Sequence, residues 1–388
     1  MVRSGTHDLE SRRQLVVEWL APKIARATIR QRSWPMNRCL LFALGFSLIG
    51  ACAQSPTVMR YEVGKIDAGQ VWPASQTREP PRYRMIGQLF GESNFSTVDN
   101  GQGSLSKVFR WVVGLDERSP DPIVLRRPQT GMVDDSRRIL VTDVSRQAIM
   151  VFDDAAGRLE VWDRASATSG FVAPIAIAAG ANGNILVTDA ELKRVFRLSA
   201  KGEPMGEFGA GVLTRPAGIA RDSRSKQVFV ADIHAHDIKV FDDDGNHLRT
   251  VGRPGGAPGE FSYPSHLAIS EDKLYVSDTM NARIQVFDLA GKPLFQFGER
   301  GLYLGNLVHP KGVAVDAEGN IYVVESFHDH LLVFDKSGRF LMAIGGTGKT
   351  NAEFYLPAGV WTDRNNRVFV ADMFNGRVVI LQFLGGDQ

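Results

Sequence analysis

The sequence predicts an all-β fold assembled from one repeated four-stranded unit. Three sets of residues carry that prediction. An acid closes a short apolar strand at Asp143, Asp189, Asp232, Asp278, Glu325 and Asp372, in steps of 46, 43, 46, 47 and 47 residues. A proline opens the preceding strand at Pro128, Pro174, Pro216, Pro264, Pro310 and Pro357. A hairpin glycine recurs at Gly157, Gly202, Gly245, Gly291 and Gly338. Independent markers that keep one period signal stacked supersecondary units.

The stretch Lys273–Gly298, KLYVSDTMNARIQVFDLAGKPLFQFG, shows the unit most clearly. LYVSD is a strand, TMNA a polar turn, RIQVF a second strand, DLAGK a glycine hairpin turn and PLFQFG a third strand. With the proline-led strand ahead of it, each period holds four strands and no helical pattern, which reads as a propeller blade. The landmarks PKGVAVDAEGNIYVVE (310–325) and YVSDTMNARIQVFD (275–288) resemble the NHL repeat, over roughly residues 83–384. The resemblance implies a six-bladed β-propeller of four-stranded antiparallel blades.

The last period lacks its fourth strand after RVVILQF (377–383). Tyr83–Gly91, YRMIGQLFG, has the ending of a fourth strand but precedes the first blade. The expectation is that it pairs with the last blade, closing the ring and leaving no free edge there.

The N-terminal residues read differently. The formal charge is +2, from 45 Lys+Arg and 43 Asp+Glu. Residues 1–51 hold eight basic and three acidic side chains, so the remainder sums to about −3. No basic block runs through the repeats, which speaks against nucleic-acid binding. Met36–Cys52, MNRCLLFALGFSLIGAC, has a basic start, an apolar run too short to span a bilayer, and small residues before a cysteine. Ile49-Gly50-Ala51-Cys52 resembles a bacterial lipobox, which implies cleavage before Cys52 and lipidation of its sulfur. Ala53 at the next position points to the outer membrane, facing the periplasm. The expected organisation is a non-native or disordered extension over 1–35, a lipoprotein signal peptide over 36–51, a tether over 52–82 and the propeller over 83–388. The prolines of the tether and its Trp-Pro…Pro-Pro-Arg lead-in resemble bacterial propeller lipoproteins of the NHL type. The other cysteine, Cys39, lies within the signal, so the mature chain has no thiol pair.

In a four-stranded blade, the link into the first strand and the turn between second and third strands share one face. The links Gly252–Pro264, Gly298–Pro310 and Gly345–Pro357 are 12 residues each, whereas Gly91–Pro128 is 37. A rim insertion of about 92–127 is therefore expected there. Its stretch 104–117, SLSKVFRWVVGLDE, has helical apolar spacing and carries Trp111. His234, His266, His309 and His328 fall at or near the same face, with His266 in place of the usual Gly of Pro-x-Gly and His328 at the slot that Asn281 fills in the preceding blade. Arg146, Phe327 and Phe374 complete the candidate ligand-binding set of that face.

No cofactor is expected; the alternative is a divalent metal, zinc or calcium, on His234, His266, His309 and His328. Amidating lyases of the NHL type hold zinc with histidines from separate blades, but repeat a His beside the blade proline, which this chain does not. The repeated acids are expected to accept backbone N–H bonds in the following turn. Arg194, Arg283 and Arg377 recur at one slot as framework ion-pairing groups. GGTGKT (345–350) is not a phosphate loop, because Ala343 stands where the pattern needs Gly and no helix follows. No G-x-S-x-G elbow occurs. The favoured reading is a lipid-anchored cell-envelope propeller that binds a protein, peptide or glycan on one face. The alternative is a metal-dependent envelope lyase or hydrolase.

Overall fold

The computed structural model describes residues 57–61, 70–74, 79–97, 122–351 and 353–385. The stretch 104–117 with Trp111, the signal segment and Cys52 lie outside them. Six antiparallel sheets form the blades of a propeller. Blade one holds Pro128–Val133, Ile139–Asp143, Ala148–Asp153 and Arg158–Trp162. The first strands of blades two to five are Pro174–Ala179, Pro216–Asp222, Pro264–Ser270 and Pro310–Val315.

The two strongest sequence markers are partners in space. Pro128 lies opposite Asp143, Pro174 opposite Asp189, Pro216 opposite Asp232, Pro264 opposite Asp278 and Pro310 opposite Glu325. In all five of these blades the register then shifts within three residues of the proline. Such a bulge re-aims the two positions after the proline.

Second strands such as Ile139–Asp143 are buried at every position, because both faces of a blade pack on neighbours. Fourth strands such as Arg158–Trp162 are partly exposed, as the outer edge of the ring requires. Six apolar clusters result, one between each adjacent pair of blades. Hydroxyls stitch the same junctions: Thr142 Oγ1 donates to Ile175 O (2.8 Å), Thr188 Oγ1 to Ala217 O (2.6 Å) and Thr279 Oγ1 to Pro310 O (2.8 Å).

The third slot of Pro-x-Gly marks the closest approach of the blades. A Cβ on Gly312 would stand 2.6 Å from Val360 N, and one on Gly218 would stand 2.7 Å from His266 Cα. Glycine is required there by the neighbouring backbone, not by its own dihedrals.

Ring closure follows the expectation. Blade six runs Val360–Thr362, Arg367–Asp372 and Arg377–Phe383, and its fourth strand is Tyr83–Leu89, with Val378 opposite Leu89 and Phe383 opposite Tyr83. Tyr83 O–H donates to Tyr322 Oη (3.1 Å), whose own proton goes to Asp316 Oδ2 (2.7 Å), so the closing strand is also fastened to blade five.

The segment expected as a tether is partly built into this body. Val71–Trp72 adds a fifth strand outside Tyr83–Leu89, and Thr57–Met59 pairs with Phe95–Thr97 from the start of the insertion. Asn94 holds the crossing, buried, with four bonds: its Oδ1 accepts from Phe90 N (2.7 Å) and Gly91 N (3.1 Å), and its Nδ2 donates to Arg60 O (2.8 Å) and Gln88 O (2.8 Å). Period reasoning could not reach strands of two or three residues.

Candidate functional site

The repeated acids are 0% exposed, and they build the face on which a ligand would meet the channel. Asp143 Oδ2 accepts from Arg126 N (2.6 Å) and Arg127 N (3.0 Å), while Oδ1 accepts from Ser145 N (3.0 Å) and Arg146 N (3.0 Å). One carboxylate thus ties the link into the first strand to the turn after the second. Asp189 repeats this with Val172, Ala173, Glu191 and Leu192. Asp143, Asp189, Asp232 and Glu325 bond backbone on both sides, more than the single following turn expected of them, whereas Asp278 and Asp372 take one backbone N–H from the link and side-chain donors on the other oxygen.

Several candidates from the sequence belong to the same framework. Asn281 Nδ2 donates to Asp278 Oδ2 (2.8 Å) and Gly255 O (2.9 Å). His328 takes that slot in blade five and places Nδ1 2.8 Å from Glu325 Oε2, so the ring nitrogen replaces the amide. Arg146 Nε donates to Val124 O, which pins the end of the insertion, and burial together with nearby Arg126 holds its pKa below the usual value. Arg283 and Arg377 pair with Asp278 (2.8 Å) and Asp372 (2.7 Å). Arg194 departs from them: it pairs across the blade with Glu207.

The four histidines are held in separate settings. His234 is exposed. His309 meets Phe327 edge-on at 6.3 Å, and His328 is bonded to Glu325. Among the described residues no group of three or more His, Cys, Asp or Glu is arranged to hold a metal ion.

His266 is different. It lines a cavity of about 250 Å³ in the central channel, together with Thr130, Ile177, Ile219, Val313 and Thr362 from the first strands of the other blades. Its Nδ1 lies 3.3 Å from Ser265 Oγ, which lies 2.7 Å from Thr279 Oγ1, which donates to Pro310 O. This relay is satisfied in one direction when Nδ1 carries the proton, leaving Nε2 as a lone pair, buried and without a partner. Burial, reinforced by the charge of Lys311, pushes the His266 pKa down to about 3, so the ring is neutral.

Around the mouth stands a rim of exposed side chains: Tyr263, Met280, Phe327 (55% exposed), Tyr355 and Phe374 (50%). They are arranged in pairs. His236 meets Tyr263 at 4.6 Å, Phe327 meets His328 at 5.0 Å, and Tyr355 meets Phe374 at 5.6 Å. The Arg127 guanidinium lies over the Phe374 ring, 5.4 Å from its centroid. Lys311, at the x position of Pro-x-Gly in blade five, is half-buried. Burial lowers its pKa first, and the charged neighbour acting on it is another cation, Arg127.

Lys311, Arg127, Tyr263 and Tyr355 escaped the sequence reading. The signal for Lys311 was its contrast with Gln129, Ile175, Ala217, Ser265 and Ala358 at the same slot. Arg127 gives none until the ring brings its charge to bear on Lys311.

Comparison with known proteins agrees with this architecture. A family profile described as a 6-bladed beta-propeller matches residues 221–298 and 308–387. The chain is similar to the brain tumor protein of Drosophila melanogaster, 31% identical over 119 residues, which are 29% of this chain and 11% of that protein. It is also similar to bovine NHL repeat-containing protein 2, 29% identical over 163 residues, 33% of this chain and 22% of that one. Matches to these curated relatives thus span about a tenth to a fifth of their length. A solved structure from Bacteroides thetaiotaomicron, of unknown function, superposes with a TM-score of 0.53 at 14% identity, covering 68% of this chain and 70% of its own. In its repeats and its fold the chain resembles the NHL-type six-bladed propellers.

Proposed function

We propose that this propeller is a binding scaffold of the bacterial cell envelope, anchored through Cys52, which takes a protein, peptide or glycan on the Pro-x-Gly face. One observation carries the binding reading: exposed aromatic residues from blades four, five and six, Tyr263, Phe327, Tyr355 and Phe374, stand on the Pro-x-Gly face, while the repeated acids beneath them are buried and bonded to backbone and framework side chains. Exposed aromatic anchors in a rigid frame suit recognition of a partner. The segment 36–52 supports the anchor: an apolar stretch of signal-peptide length before Gly-Ala-Cys implies attachment by acyl chains. The propeller would then be held at the membrane, available to periplasmic partners.

Two measurements test this. Photo-crosslinking in cells from a residue beside Phe374 should capture a discrete partner that a Phe327→Ala/Phe374→Ala variant loses. Equal capture from the opposite face, or by the double variant, would sink the binding reading. Cys52→Ala should move the protein from the membrane fraction to the soluble fraction; unchanged membrane association would sink the anchor.

A further inference from the structure

The charged side chain that acts on Lys311 is another cation, Arg127. Lys311 makes no hydrogen bond or ion pair among the described residues, and neither does the side chain of Arg127 apart from its stacking on Phe374. Elsewhere the basic side chains next to the repeated acids are matched: Arg283 reaches Asp278 and Gln296, and Arg377 reaches Asp372 and Gln88. A half-buried ammonium whose charged neighbour is a guanidinium is unfavourable on its own.

We propose that Lys311 and Arg127 bind a carboxylate, with the apolar group that bears it lying against the aromatic rim at Phe374 and Phe327. This deepens the binding reading above by naming the chemistry of the ligand, and it rests on that reading only for the peptide or protein origin of the carboxylate. A carboxylate oxygen placed between the two cations gains charge-assisted bonds from both and relieves their mutual repulsion. The guanidinium plane is already fixed by the Phe374 ring, so little of its freedom is lost on binding. His266 adds selectivity from below. Its proton is committed to Ser265, so it presents no positive charge to the channel, and the attraction is confined to the mouth. The site therefore favours a single anionic group at the end or on the surface of a ligand over a polyanion threaded into the channel.

The test uses the propeller with its lead-in, in chloride buffer at constant ionic strength. The probes are 3-phenylpropionate, its neutral amide and inorganic phosphate, read by thermal melting and calorimetric titration. Wild type should rise by about 3 °C at ten times the Kd of 3-phenylpropionate. The amide should give no shift, and Lys311→Met and Arg127→Met should each lose at least tenfold in affinity. Without ligand, Lys311→Met should melt at or above wild type, because an unmatched charge has been replaced by an apolar chain of similar length. A Lys311→Met protein that melts lower, or that keeps the carboxylate shift, overturns the assignment. So does a larger shift with phosphate than with phenylpropionate. Retained capture of a cellular partner by Lys311→Met would overturn this inference while leaving the binding scaffold standing. Carboxylate binding without partner capture would do the reverse. Free and C-terminally amidated versions of one peptide then separate a chain terminus from an acidic side chain as the source.

Discussion

Replacing Arg377 with methionine probes how the ring is held shut. Arg377 is 3% exposed and makes four contacts from one side chain. Its Nε donates to Asp372 Oδ2 (2.7 Å), one terminal nitrogen to Gln88 Oε1 (2.9 Å), and the other to Thr350 O (2.8 Å) and Glu353 O (2.8 Å). It therefore joins the blade acid, the link into blade six and the closing strand. Methionine fills a similar volume but leaves Asp372, 0% exposed, without its cation. Removing one partner of a buried pair costs about 3–5 kcal/mol. For a body of this size that corresponds to roughly 6–10 °C in Tm. The sign of the pH dependence is also fixed. Burial, outweighing the bonds from Tyr355, Asn375 and Arg377, already holds the Asp372 carboxyl above its usual pKa, and loss of the arginine raises it further. An acid with a raised folded pKa destabilises the fold as pH rises past its unfolded value, so the deficit of the variant should shrink as pH falls toward 4. Thermal melts of wild type and Arg377→Met across pH 4–8 measure both. Adding Asp372→Asn should return part of the loss. A loss under 2 °C at pH 7, or a deficit that widens on acidification, would refute the reasoning.

Burial raises both the Tyr83 and Tyr322 phenol pKa values above the ordinary range. The folded state thus keeps protons that the unfolded state releases, so stability should fall as pH climbs past about 10. Tyr322→Phe should flatten that alkaline limb in pH-dependent melts, and an unchanged slope would count against it. His266, pushed down to about 3, should contribute stability that is complete above about pH 6.5 and declines as pH falls toward 3. In His266→Asn the slope between pH 6.5 and 4 should be shallower than in wild type. Gly312→Ala forces a Cβ to 2.6 Å from Val360 N. It should cost about 1–3 kcal/mol by denaturant melting, and a neutral result would mean the blades part more easily than their packing implies. Elemental analysis of residues 53–388, purified without chelator or histidine tag, should find less than one equivalent of zinc or calcium. A full equivalent lost in His266→Ala would revive the metal-dependent reading.

The fold was legible because each marker has one physical job repeated in every blade. In blades one to five the proline opposes the acid, and in every blade the buried acid accepts a backbone N–H from the link ahead of the first strand. The closing strand could be found because Tyr83–Leu89 carries the pattern of a fourth strand away from its blade. The lead-in strands had no such pattern: Val71–Trp72 and Thr57–Met59 are too short for any period, and Asn94 acts through bonds that no spacing reveals. The site was harder for a related reason. His328 and Asn281 sit on the right face, yet their polar atoms bond the repeated acids, and sequence position alone does not separate a framework side chain from a free one. Lys311 and Arg127 lie 184 residues apart, and the charge of one acts on the other only because the ring closes through blade six.

The pairing of Phe383 with Tyr83 puts the two ends of the repeat region side by side on one sheet. The circle therefore has no privileged starting blade, and its opening could be relocated. A circular permutant joined by a short linker across those ends, and cut in the link between Gly252 and Pro264, would make blade six from one unbroken segment while blades three and four became the termini. Such a molecule would open the link that carries Tyr263 and leave the other links of the mouth in place. It would also measure, by its difference in folding rate from the parent, how much time this chain needs to bring strands nearly three hundred residues apart into register.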